Sequence, residues 1–151
     1  MDNSYYSKTI TYLDVRMGLL VEAFWLVAFV SCVAAVTVDL NPDGSYATIS
    51  SPGYPYPIAP NTRHNWEIRS PPGTKASLYC YEIRLIQDNP PGCDQDLLVI
   101  EGGDKRLELC GQHYGLSVLS KENMIYVYLM TGENESGGFT CVTCSDLRLL
   151  Q

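Results

Sequence analysis

What most constrains this chain is how often it is interrupted. Beyond residue 36 no stretch repeats its apolar residues at the 3.6-residue spacing of an amphipathic helix; short alternating or β-branched stretches are cut instead by clusters of Gly, Pro, Asn and Asp. That pattern predicts an all-β domain. Strands are expected at Tyr46–Ser50, Asn65–Ile68, Lys75–Ile86, Leu97–Glu101, Arg106–Cys110, Leu116–Leu119, Met124–Thr131 and Gly138–Thr143. Gly102-Gly103-Asp104 joins two of these of similar length and predicts a hairpin, because glycine supplies the positive φ of a tight turn. Evenly spaced short strands indicate a sandwich or a barrel, and spacing alone does not choose between them.

A chain of 151 residues that is 46% hydrophobic and 18% charged can bury enough surface to offset the entropy of ordering one domain. Its net charge of -7, with ten Lys and Arg scattered singly, excludes a nucleic-acid binder, which needs clustered cations against phosphate.

Residues 17–36 run apolar except for Glu22, with Arg16 just before them. Val33 and Ala35 suit the positions three and one before a signal-peptidase cut, which predicts a cleaved signal peptide, and Met17 is a reasonable start for it. A stretch of about 20 apolar residues also suffices as a membrane anchor, so a single-pass protein displaying the domain outside the cell is the second reading. A buried core helix is the least favoured, since the stretch has no polar face. The expected organisation is a leader and signal peptide or anchor over 1–36, a domain over 38–146 and a tail over 147–151.

Of six cysteines, Cys32 lies in the leader and Cys80, Cys93, Cys110, Cys141 and Cys144 in the domain, as in a disulfide framework made in an oxidising compartment with one thiol over. Strand parity puts Leu78 with Cys80 on one face and Phe139 with Cys141 on another. With Phe139 inward, Cys80 and Cys141 make the better inter-strand bridge, leaving Cys93 with Cys110, while Cys144 points the other way or lies past the strand.

Ile49-Ser-Ser-Pro-Gly-Tyr-Pro55, Asn65-Trp66-Glu-Ile68, Cys93-Asp-Gln-Asp96, Leu109-Cys110-Gly111 and Gly138-Phe139, in this order, resemble a CUB domain from about Val38 to Asp146. The resemblance implies a jelly-roll β-sandwich of an extracellular protein. The common first cysteine pair is missing, because Asn65 stands before Trp66 where a cysteine is usual. Cys80 with Cys141 is instead similar to the four-cysteine variant that precedes trypsin-like domains in secreted arthropod proteases. Many family members hold partners through calcium, bound by a Glu after the long strand, the Asp of Cys-x-x-Asp and an Asp after the penultimate strand. Those positions fall here on Ile86, Asp96 and Gly132, so Asp96 is the one secure calcium candidate, with Asp88 and Asp94 nearby; a calcium site needs several converging oxygens.

Three other features invite chemistry. Cys141-Val-Thr-Cys144 has redox or zinc spacing but neither the helix start nor the second pair those uses require. His64 and His113 stand without a Gly-x-Ser-x-Gly or Gly-Asp-Ser-Gly-Gly motif, so no catalytic residue is expected. The proline-stiffened loop 52–60 holds Tyr54 and Tyr56, either as a lid on the sandwich or as contacts offered to a partner. Asn134-Glu135-Ser136 is the single glycosylation sequon. The expected function is extracellular, non-catalytic recognition of a protein or glycan, without cofactor. The alternative is the recognition arm of a truncated secreted trypsin-like protease, and membrane contact follows only if the leader is retained.

Overall fold

The computed structural model describes residues 35–88 and 90–146; the leader up to residue 34 and the tail after residue 146 lie outside them. The strands are β1 Val36–Asp39, β2 Ala47–Ser50, β3 Arg63–Arg69, β4 Lys75–Arg84, β5 Leu97–Glu101, β6 Leu107–Leu109, β7 Gln112–Leu119, β8 Met124–Met130 and β9 Gly138–Asp146. They form a five-stranded sheet in the order β1-β3-β8-β5-β6 and a four-stranded sheet in the order β2-β9-β4-β7. Two separate sheets make this a sandwich, which spacing alone had left open. All pairings are antiparallel except β1 with β3.

Period-two alternation supplies the filling between the sheets. Strand β4 turns Ala76, Leu78, Cys80 and Ile83 inward, β8 turns Ile125, Val127 and Leu129, and β9 turns Phe139, Cys141 and Thr143. Trp66 on β3 meets Phe139 edge to face across the sandwich, ring centroids 5.3 Å apart, a favoured aromatic geometry. Parity slips once in β4: the register shifts between Cys80 and Glu82, so Tyr81 is bulged and both Cys80 and Ile83 remain inward.

Strands β5 and β6 pair as the expected hairpin. Gly102 there has φ +117°, and a β-carbon on it would come within 2.4 Å of the Met124 carbonyl oxygen, so the turn needs glycine for conformation and for space.

Seven of the eight expected strands change at their ends; β2, β6 and β8 are shorter by one or two residues, and β5 alone keeps its bounds. Strand β4 stops at Arg84 rather than Ile86: the Leu85 N–H still bonds the Gly111 carbonyl at 2.9 Å, the next position of the β4–β7 register, and the Ile86 N–H then turns away to Asp96. Strands β3, β7 and β9 are longer than expected, β7 beginning at Gln112 and β9 running to Asp146. Strand β1 was not expected at all. It begins at Val36, ahead of the expected domain start at Val38; its Val-Thr-Val-Asp alternates but is only four residues long and follows directly on an apolar run, and it lies along β3, Val36 opposite Trp66 and Asp39 opposite Arg69.

The two ends of the sandwich are finished differently. At one, hydroxyls close the loops: Ser70 bonds Ser145 at 3.0 Å, and Ser120 accepts the Ala76 N–H at 2.8 Å. At the other, where β4 and β8 end and β5 and β9 begin, a carboxylate does so.

Candidate functional site

That carboxylate is Asp96, fully buried at 0% exposure. Oδ2 accepts the Ile86 N–H at 2.9 Å and the Ser136 hydroxyl, and Oδ1 accepts the Gly132 N–H at 3.0 Å. The β4–β5 and β8–β9 loops thus converge on one side chain. The β2–β3 loop joins them through backbone bonds: Ile58 and Ser136 exchange N–H to carbonyl bonds of 2.8 and 3.1 Å, and the Asn61 N–H reaches the Gly132 carbonyl at 2.7 Å. Among the described residues no buried side-chain nitrogen or oxygen lacks a partner, so this polar cluster carries no desolvation penalty for an unmade bond.

Over this base sits the proline-rich loop, and it divides the two tyrosines. The Tyr54 ring, 37% exposed, lies over Gly138, where a β-carbon would come within 3.5 Å of it, whereas Tyr56 is 75% exposed. The three loops carry Asp88, Asp94, Glu133 and Glu135 on their exposed surface and no Lys or Arg; at the strand ends beside them stand Arg63, exposed at the start of β3, and Arg84, paired with Glu82 at the end of β4. Arg69 and Arg106 are paired with Glu67 and with Glu101 and Glu108, exposed pairs worth little to stability. Asn134 is exposed on the β8–β9 loop.

Cys80 is joined to Cys141 and Cys93 to Cys110. The first pair are register partners on β4 and β9, with Cα atoms 3.9 Å apart and both side chains buried. The second closes the β4–β5 loop onto the end of β6. Cys144 lies outside both bridges, half-buried on the outer face of β9.

The histidines occupy separate settings. His64 stacks at a tilt on Trp66, centroids 4.3 Å apart, while His113 on β7 bonds the Cys110 carbonyl oxygen at 2.8 Å. Ser136, the serine of the Glu135-Ser-Gly-Gly stretch, gives its hydroxyl to Asp96. The calcium candidates do not converge either. Asp88 and Asp94 are exposed while Asp96 is buried, and among the described residues no three His, Cys, Asp or Glu side chains form a metal-holding group.

One surface was not anticipated from the sequence. The outer face of the four-stranded sheet presents Tyr79, Tyr81 and, on the edge strand, Tyr114, with Tyr79 and Tyr81 in an edge-to-face pair 5.1 Å apart. Parity held the signal for both, since Tyr79 and Tyr81 flank Cys80 and must face out if Leu78 and Cys80 face in.

Comparison with known proteins places this architecture. Residues 40–142 match the family described as the CUB domain. A curated relative, Venom CUB domain-containing protein 2 of Platymeris rhadamanthus, is 28% identical over 123 residues, covering 78% of this chain and 92% of that protein. Among solved structures, the full extracellular region of zebrafish Gpr126/Adgrg6 superposes with a TM-score of 0.65 at 24% identity, over 74% of this chain and 14% of that one. The MASP-1 CUB2 domain bound to Ca2+ gives 0.61 at 21% identity, over 73% of this chain and 98% of that one. At such identities the two structures speak for the fold.

Proposed function

Because this chain belongs to the CUB domain family, we propose that it is an extracellular, non-catalytic module that recognises a protein or glycan through the loops at the Asp96 end of its sandwich. The observation that carries this reading is that the family match covers 40–142, nearly the whole described domain, and that the chain covers 92% of a venom relative named for the same domain. A CUB domain thus makes up almost all of that relative, which supports a stand-alone binding protein. Two disulfides suit an oxidising, secretory compartment. Tyr56 on its proline-stiffened loop is the favoured contact, since a rigid aromatic side chain gives contact area at small entropic cost.

The protease-linked reading rests on the Cys80 and Cys141 pair and on Cys144 as a possible bridge to a following domain. Extending the transcript at its 3′ end and measuring the secreted product separates the two. On the stand-alone reading the secreted product is of single-domain size. Reading through in frame into a trypsin-like domain overturns the stand-alone module and makes this domain the recognition arm of an enzyme.

A further inference from the structure

The resemblance to calcium-binding family members and the structure disagree at one place. Of the three positions expected to offer acidic ligands, Ile86 and Gly132 have no side-chain oxygen, and each directs its backbone N–H at the third, Asp96. A cation needs oxygen lone pairs aimed at it; here the positive ends of two amide dipoles and one hydroxyl proton converge on the carboxylate instead. Its charge is balanced where it stands.

We infer that Asp96 does here the work of a bound cation: by hydrogen bonds alone it clamps the β4–β5 and β8–β9 loops, and through Ser136 and Ile58 the β2–β3 loop with Tyr56. The end of the sandwich that presents Tyr56 is then a preformed surface whose shape does not depend on calcium. This inference rests on the hydrogen bonds and stands independently of which partner is bound.

The test is thermal unfolding of the secreted, disulfide-intact protein in EDTA and in millimolar calcium chloride, with calcium titration calorimetry alongside. The wild type should melt at the same temperature in both within about 1 °C, with no calcium binding. Asp96→Asn puts an amide N–H₂ where one acceptor oxygen stood, facing a donor, and should lower the melting temperature by about 5 to 15 °C equally in both buffers. Ser136→Ala removes one bond and, because it also breaks the Asn134 sequon, is compared with Asn134→Gln, relative to which it should show a smaller, equally calcium-independent drop. A calcium-dependent rise of more than about 5 °C in the wild type, lost in Asp96→Asn, overturns the inference; so does an Asp96→Asn protein that melts like the wild type. If Asp96→Asn is not secreted, Ser136→Ala and the wild-type calcium comparison decide the matter.

Discussion

At the scale of single residues, the same atoms serve different needs before and after folding. Ser136 completes the Asn134-Glu-Ser136 sequon in the unfolded chain, yet in the folded domain it is buried and its hydroxyl belongs to Asp96. Asn134, by contrast, is exposed and able to carry a glycan into water. Expression in a secretory cell should give a glycosidase-sensitive mass that disappears in Asn134→Gln with the melting temperature of the deglycosylated protein unchanged within about 1–2 °C, since surface substitutions cost little. Ser136→Ala should abolish the glycan and also lower the melting temperature. Equal melting of the two variants would show that the Ser136 hydrogen bond contributes nothing. The sequence exposed Asn134 and Asp96 as distinctive residues. It could not show that Asp96 is buried among donors, because Ile86, Gly132 and Ser136 reach it from 10, 36 and 40 positions away.

At the scale of elements, period two made eight strands legible, and parity located Cys80 and Cys141 on inward faces before any pairing was known. The unread features are those in which a neighbour overrides the local pattern: β1 exists because β3 offers a parallel edge, and β4 ends where Asp96 takes the Ile86 amide. On the chain-entropy account, bridges closing loops of 61 and 17 positions contribute about 3 to 4 kcal/mol each. Replacing Cys80 and Cys141 together by Ala should lower stability by about that much, read as a reduced urea midpoint, with the larger loss for the longer loop than for the Cys93 and Cys110 pair. Non-reducing peptide mapping should recover both linkages, and a dominant Cys80 to Cys144 species would contradict the register of β4 and β9.

At the scale of the whole molecule, the described domain opens with β1 at Val36. A cut after Ala35 leaves all four β1 residues on β3, whereas a cut deeper in the chain would strip pairs from the ladder that begins with Val36 opposite Trp66. N-terminal sequencing of the secreted protein should therefore start at Val36; recovery only from detergent-solubilised membranes, with residues 17–35 intact, would establish the anchor reading instead. By itself the sequence determined the all-β class, the inward set of apolar residues and the motifs carrying the family resemblance, because alternation, glycine turns and cysteine placement are local and survive without knowledge of neighbours. The tertiary structure decided which strands share a sheet, that Tyr54 is the less exposed of the two loop tyrosines, and that Asp96 is buried among the Ile86 and Gly132 amides and the Ser136 hydroxyl. Each of those depends on where a backbone amide from a distant loop points, and no spacing along the chain encodes that direction.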